Sequence, residues 1–268
     1  MTERGRPTIA VFGLGEAGSL IAGDLAGAGA RVRAYDPADL TPPAGVLRVD
    51  EPETAVVGAD LVMVITSATA SHDVMDQTLN AISSSTIYAD LATAAPGIKV
   101  ELASAAAAKS VRFADVALMA PVPGHGLAVP SLASGDGAIR YQELINGLGG
   151  SVEAIGDVPG HAAARKLMRS IVTKGLSCLL IESMDLARAY DDTDWLRAHL
   201  VTELGLGEDF IDRLLHGPAK HAGRRLEEME AAAGLMTEIG LDGPMTRATI
   251  ERLRIVLIDG LPDHPARR

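Results

Sequence analysis

The sequence predicts an α/β domain followed by an all-α domain, on three observations. Short apolar runs alternate with helical stretches over residues 1–158. A glycine-rich turn joins the first of these runs to the first helix. From about residue 161 the apolar residues keep helical spacing and no further strand can be read.

The elements follow in order. Residues 8–12 form a compact β run, residues 17–27 a helix and residues 30–35 a second strand. Residues 60–66 carry Leu-Val-Met-Val-Ile, the continuous apolar run that a strand buried on both faces requires. Residues 86–90 form the next strand, followed by a helix over 98–109. Strands over 112–119 and after Pro130, a helix over 141–148 and a short strand over 151–155 complete this half. The alternation argues for a parallel sheet with helices on both faces. Residues 161–190 then read as one long helix without an internal proline, followed by helices over 194–204, 209–215, 220–239 and 245–257. The change of pattern at Val158-Pro-Gly-His161 sets two domains, 1–158 and 159–268.

Composition narrows the function classes. With 47% hydrophobic residues over 268, the chain has ample apolar surface for a core, which excludes a disordered protein. Cys178 is the single cysteine, which excludes a disulfide scaffold. A net charge of −11 and 3% aromatic residues argue against nucleic acid and anionic membranes as partners. No apolar run is long enough to span a bilayer, and the start of the chain lacks a signal-peptide pattern. The expectation is a soluble cytoplasmic protein with a small-molecule partner. No His/Cys/Asp/Glu group has metal-ligand spacing, and no Gly-x-Ser-x-Gly elbow is present.

Gly13-Leu14-Gly15-Glu16-Ala17-Gly18 directly follows the first strand and opens a helix. That context turns a weak pattern into a Rossmann dinucleotide fingerprint. Gly13 permits the tight turn, Gly15 lets backbone approach a pyrophosphate, and Gly18 lets helix and strand pack closely. The helix N-terminus offers free N–H groups and a positive dipole end to the phosphates. The alternative is an ordinary glycine-rich turn. Asp36 ends the second strand, where an acidic side chain bonds the ribose hydroxyls and repels the 2′-phosphate of NADP. The residues that follow, Pro37, Ala38 and Asp39, bring no compensating cation. NAD is therefore favoured and NADP not excluded, unless Asp36 is only a turn residue before proline. Thr66 and Ser67, ending the third strand, are further cofactor candidates.

The long helix carries a second signal. Lys166, Ser170, Thr173, Lys174 and Ser177 recur at helical spacing along one face, amid Leu167, Met168, Ile171, Val172, Leu176, Leu179 and Leu180. Such a stripe faces solvent, a partner or a cleft. Because the helix begins where the α/β domain ends, its first turns are expected at a cleft between domains. A partly desolvated lysine beside a nicotinamide ring would have a lowered pKa and could serve as acid or base.

These segments resemble the β-hydroxyacid dehydrogenases, which include 3-hydroxyisobutyrate and 6-phosphogluconate dehydrogenases. The resemblance covers nearly the whole chain. Residues 13–25 resemble the family's cofactor loop, and Asp90-Leu-Ala-Thr93-Ala-Ala-Pro96 its Asp-x-Ser-Thr-x-x-Pro segment near the nicotinamide. Asp115-Val-Ala-Leu-Met119-Ala120-Pro121 falls at the family's substrate segment, Asp-Ala-Pro-Val-Ser-Gly-Gly. Gly160-His-Ala-Ala-Ala-Arg-Lys166-Leu-Met-Arg-Ser170 resembles the catalytic stretch, with Glu182 at its expected place. The resemblance implies that Lys166 is the general acid/base, that Ser170 replaces a substrate-holding Asn, and that Thr93 lies at the cofactor. It also implies a homodimer. The helical half, with Arg224-Arg-Leu-Glu-Glu-Met229, resembles a subgroup whose C-terminal domain has no assigned function.

At the substrate end the sequence departs from the family. Met119 stands for its Ser, Ala120 and Pro121 for its two glycines, and Glu227-Glu228 for its carboxylate-holding Lys-Asp pair. Arg224, one turn earlier, is the nearby cation that could substitute. His125 and Lys174 are further substrate candidates, and His125 is equally a solvated loop residue. The expected function is hydride transfer between nicotinamide and a hydroxyl or carbonyl carbon, on a substrate less acidic than a small hydroxyacid. Two alternatives remain: an imine reductase on the same scaffold, favoured by the Glu pair, and a non-catalytic dinucleotide-binding protein. Cys178 reads as a small buried hydrophobe.

Overall fold

The computed structural model describes residues 5–260. The chain divides into two compact units, Met1–Lys166 and Leu167–Arg268. The first is α/β and the second is helical, as the sequence predicts.

The first unit is built on one eight-stranded sheet among the described residues, in the order β3-β2-β1-β4-β5-β6-β7-β8. The strands are β1 (Thr8–Phe12), β2 (Arg31–Tyr35), β3 (Val46–Arg48), β4 (Leu61–Val64), β5 (Ile87–Asp90), β6 (Arg112–Leu118), β7 (Ser131–Ser134) and β8 (Val152–Ala154). Every residue of β1, β4 and β5 is buried, because helices cover both faces of the sheet centre. The chain order reverses at β1, where β2 lies on one side and β4 on the other. That switch point is where open α/β sheets bind ligands, beyond the carboxyl ends of the strands.

The sheet is not wholly parallel: β7 runs antiparallel to β6, with Asp115 opposite Ser134 and Leu118 opposite Ser131. The link between them holds Pro121, Pro123 and Pro130 with Gly124 and Gly126. It forms only a single 3-10 turn at Gly126–Ala128, and without a crossover helix the chain must return antiparallel.

Around the sheet lie α1 (Glu16–Gly27), α2 (Pro52–Val56), α3 (Ala68–Thr78), α4 (Pro96–Ala108) and α5 (Ala138–Gly147). Sequence periodicity misses β3, α2 and α3. The first two are three and five residues long, and α3 buries Ser71 and Thr78 beside only two large apolar residues, Val74 and Met75, too few to show a stripe. One face of the sheet packs Ile9, Val11, Ile21, Leu25, Met63 and Tyr141. The other packs Phe12, Val62, Val64, Met75, Tyr88 and Phe113, with the Tyr88 and Phe113 rings stacked.

The long helix α6 (His161–Ala189) begins in the first unit and continues into the second. The second unit adds α7 (Thr193–Leu204), α8 (Glu208–Lys220), α9 (Ala222–Glu238) and α10 (Pro244–Asp259). Leu180, Ile181, Met184, Leu200, Ile211 and Leu214 form one of its cores, and Cys178, Met229, Ile250 and Leu253 the other. Burial pushes the Cys178 thiol up to about 11, so it is not a nucleophile at neutral pH. No described helix is long and apolar enough to cross a membrane.

Phe113 is 1% exposed at the centre of one core face. Phe113→Ala is expected to cost about 3–5 kcal/mol in urea unfolding, through lost burial plus the cavity left behind.

Candidate functional site

The glycine loop leaves β1 and enters α1 at the switch point. Gly13 has φ +98, and a side chain there would collide with the Ile65 carbonyl. A side chain at Gly18 would run into the Gly13 carbonyl oxygen, so this glycine lets α1 close on the turn. Gly15 differs: a Cβ there would meet nothing within 4 Å. Its missing side chain serves no packing within the protein and leaves a cradle at the start of α1. Gly15 is the N-cap residue and no side chain caps the helix, so the first N–H groups of α1 point at that cradle. Glu16 and Gly15 are exposed, Ala17 is half-buried and Leu14 is buried. A pyrophosphate fits these residues by shape, by donor supply and by the positive end of the helix dipole.

Asp36 is tied to this loop. Its carboxylate accepts the Leu14 N–H at 2.7 Å and the Ala38 N–H at 2.9 Å. Each oxygen keeps a lone pair for a ribose hydroxyl. No cation follows Asp36 in the next three residues, but one reaches the turn after it from strand β3. Strand β3 aligns Arg48 with Ala34, and the Arg48 guanidinium reaches the Ala38 carbonyl at 3.4 Å and Asp39 at 3.4 Å. Arg48 follows Asp36 by twelve positions, so the sequence does not show its approach to this turn. Thr66 is half-buried and Ser67 exposed at the end of β4; the Ser67 hydroxyl bonds Thr69.

At the carboxyl end of β5 the chain forms a buried ionic network that sequence reading misses. Lys99, on α4, is wholly buried. Its ammonium donates to Asp90 Oδ2 at 2.9 Å, to the Asp90 carbonyl at 3.0 Å and to the Ala92 carbonyl at 2.8 Å. It lies 3.6 Å from Asp115 Oδ1 on β6. Asp115 Oδ2 accepts the Ser134 hydroxyl at 3.1 Å and the Ala163 N–H at 3.0 Å, while Ser134 accepts the Ala162 N–H at 3.0 Å. Asp115 and Ser134 thus cap the N-terminus of α6, where negative charge is favoured by the helix dipole. The one sequence signal for Lys99 is its spacing: it shares a buried helix face with Leu102 and Ala106.

This network holds the two segments that carry Lys166 and Thr93. The Lys166 ammonium donates to Thr93 Oγ1 at 2.7 Å across 73 residues of sequence. Both side chains are half-buried. Gly160 closes the entry to α6: it has φ +89, and a Cβ would press on Pro96. The structure therefore brings Thr93 and Lys166 together at the carboxyl edge of the sheet that carries the glycine loop.

The substrate segment is less open than its sequence position implies. The Met119 N–H is spent on the Pro130 carbonyl at 2.8 Å. Met119 and Ala120 are half-buried and Pro121 is exposed. His125 is exposed, with Nδ1 3.0 Å from the Pro121 carbonyl of its own loop. Asp24 pins that loop to α1 by accepting the Leu127 N–H at 2.7 Å.

In the helical unit Ser170, Lys174 and Glu228 form a second polar cluster. The Ser170 hydroxyl donates to Glu228 Oε2 at 3.0 Å and accepts from the Lys174 ammonium at 2.9 Å. Lys174 also bonds Glu228 directly. Burial holds the Lys174 ammonium below the usual lysine range, against the upward pull of Glu228. Arg224 is exposed, with Nε 3.8 Å from Glu228 Oε1. The cation that answers the Glu pair is therefore Lys174 as well as Arg224, while Glu227 is exposed. Ser177, on the same stripe, is buried and bonds the Leu214 carbonyl.

Comparison with known proteins matches this architecture. Residues 8–126 match the NAD binding domain of 6-phosphogluconate dehydrogenase, and residues 187–256 match a domain of unknown function, DUF1932. A conserved hypothetical protein from Sinorhizobium meliloti 1021 is 32% identical over 95% of this chain and 89% of its own, with a TM-score of 0.77. The chain belongs to the β-hydroxyacid dehydrogenase family. The conserved protein MTH1747, described as structurally similar to 3-hydroxyacid dehydrogenases, is 25% identical over 92% of this chain and 95% of its own, with a TM-score of 0.71. The 3-hydroxyisobutyrate dehydrogenase of Mycobacterium tuberculosis shares the fold at a TM-score of 0.80, with 18% identity over 98% of each chain. No curated protein sequence matches the chain. As a member of this dehydrogenase family it carries a nicotinamide-dinucleotide-binding domain followed by a helical domain.

Lys99→Met leaves two fully buried carboxylates facing each other without their cation. The substitution is expected to cost about 3–5 kcal/mol in chemical denaturation. A loss near that of an exposed lysine would show that the network carries no load.

Proposed function

We propose that the protein is an NAD-dependent dehydrogenase or reductase acting at a hydroxyl or carbonyl carbon of a small molecule, with Lys166 as general acid/base. One observation carries the reading: Lys166 is hydrogen-bonded to Thr93 at 2.7 Å, at the carboxyl edge of the sheet bearing the dinucleotide cradle. A lysine with no functional task at that edge would gain by extending fully into water.

Bound nicotinamide supplies hydride exchange at its ring carbon. The protein residues orient and move the proton. Lys166 Nζ has three donor positions, of which Thr93 takes one. In reduction the ammonium would deliver a proton to the carbonyl oxygen of a bound substrate. In the oxidative direction the neutral amine takes the hydroxyl proton. Thr93 orients the ammonium by accepting one of its hydrogen bonds. Asp36 supports NAD by accepting from the ribose hydroxyls.

The expectation of a less acidic substrate rests on Met119, Ala120 and Pro121 at the substrate segment as well as on the Glu pair. Glu228 is bonded to Lys174 and Ser170, with Arg224 Nε 3.8 Å away, so the pair has cations beside it; an imine substrate stays the second reading. A homodimer is the assembly supported best: α6 exposes Met168, Val172, Leu179 and Leu186 along one apolar stripe. We place the protein in the cytoplasm, with no nucleic acid or membrane partner, on its acidic charge and lone buried cysteine.

Lys166→Ala is expected to lower kcat roughly a hundredfold or more, with NADH affinity nearly unchanged. Lys166→Arg is expected to rescue poorly, because guanidinium keeps its proton. The assay is a nicotinamide absorbance screen over hydroxyacids, neutral alcohols, ketones and imines. Near-normal turnover by the alanine variant would remove Lys166 from the chemistry. Tight NADH binding with no turnover on any substrate would favour a non-catalytic dinucleotide-binding protein.

A further inference from the structure

Strand β3 brings a cation to the corner of the sheet where Asp36 stands. Arg48 opposes Ala34 in the β2–β3 register, two residues short of Asp36 on the neighbouring strand. Its guanidinium is held loosely. One terminal nitrogen lies 3.4 Å from Asp39 and 3.7 Å from Asp50, and the other is 3.4 Å from the Ala38 carbonyl. Both carboxylate distances exceed an ordinary charged hydrogen bond. Nε is buried with no hydrogen-bond partner among the described residues. Arg197 shows what an engaged guanidinium looks like here, with carboxylates at 2.5 and 2.8 Å. The two acidic partners of Arg48 are 99% and 92% exposed, so water replaces them at little cost when the arginine turns elsewhere.

We propose that Arg48 is a reserve site for the 2′-phosphate of NADP, screened by Asp39 and Asp50. The inference rests on the reading of residues 13–18 and Asp36 as the dinucleotide site. Ala38 links the two parts: its N–H donates to Asp36 and its carbonyl accepts from Arg48. Asp36 and Arg48 thus hold the same turn from its two sides, and a 2′-phosphate on a ribose held by Asp36 would have Arg48 as its cation from strand β3. A dianionic phosphate matches the planar fork of arginine better than two displaced, solvated carboxylates do. With a 2′-hydroxyl, Asp36 is satisfied and Arg48 stays with its acidic partners. With a 2′-phosphate, Asp36 repels and Arg48 attracts. NADH is the preferred ligand, and NADPH is accepted to a degree set by Asp39 and Asp50.

Calorimetric titration of the full chain with NADH and NADPH tests this on binding alone. Asp39→Asn/Asp50→Asn is expected to tighten NADPH roughly tenfold while NADH changes by about twofold or less. Arg48→Gln is expected to weaken NADPH roughly tenfold, again sparing NADH, and to cancel the gain when combined with the asparagine pair. The gain is also expected to shrink as salt rises. The asparagine variants change only exposed side chains, so their result stands even if Arg48→Gln folds poorly. Equal effects on both dinucleotides, or none on NADPH, would overturn the proposal. Failure of the unaltered protein to bind either dinucleotide would overturn the cofactor reading itself, and this inference with it.

Discussion

The buried pairing of Lys99 with Asp90 and Asp115 is the constraint on which the candidate site depends. Three charges lie wholly out of water, and each must be satisfied by protein. Their partners come from many parts of the chain: the Asp90 and Ala92 carbonyls, Ser71, Ser134 and the first N–H groups of α6, while Asp115 Oδ1 has only the Lys99 charge at 3.6 Å. Moving any one of these segments strands a buried charge. The network therefore fixes the end of β5, the loop bearing Thr93, the middle of β6 and the start of α6 as one body. Lys166 stands one helical turn beyond Ala163, so its reach to Thr93 is set by the same bonds. A buried ionic cluster is a poor source of stability compared with apolar packing. Its value here is positional.

The glycine loop works by a different principle, which is vacancy rather than bonding. Gly13 and Gly18 are required by the protein's own packing, whereas Gly15 is not. A residue kept small where nothing presses on it is an opening for a ligand. Asp36 closes one side of that opening and is itself held by the Leu14 N–H. The opening and the Lys166–Thr93 pair share the carboxyl edge of one sheet, as α/β folds place their ligands.

The fold was legible in the sequence to the extent that its elements are regular. The buried strands β1, β4 and β5 read directly from unbroken apolar runs, and α6 from its length without proline. The reversed β7 was not, because strand direction depends on the connection, and a loop rich in Pro and Gly states only that it is a loop. In the site, Gly13, Gly15, Gly18 and Asp36 are read from the glycine motif and its spacing, and Thr93 and the role of Lys166 from the family resemblance. Lys99, Arg48 and the Lys174–Glu228 pair are long-range matters. A lysine in an alanine-rich helix reads as a solvated surface residue until its partners, on two other strands, are known. Arg48 is brought to the turn after Asp36 by a strand of three residues, too short for any periodicity.

The claim beneath the whole account is that the loop after β1 is a dinucleotide cradle, and Gly15 tests it most directly. Its φ of −65 is open to any residue, and no protein atom lies within 4 Å of where a Cβ would stand. Gly15→Val therefore fills the cradle without straining the free protein. The measurement is NADH titration of both forms by calorimetry, with thermal unfolding as the control. The account predicts that the variant unfolds within a few degrees of the parent and loses NADH binding by roughly a hundredfold or more, about 2.7 kcal/mol. A variant that is equally stable and binds NADH as tightly as the parent would contradict it.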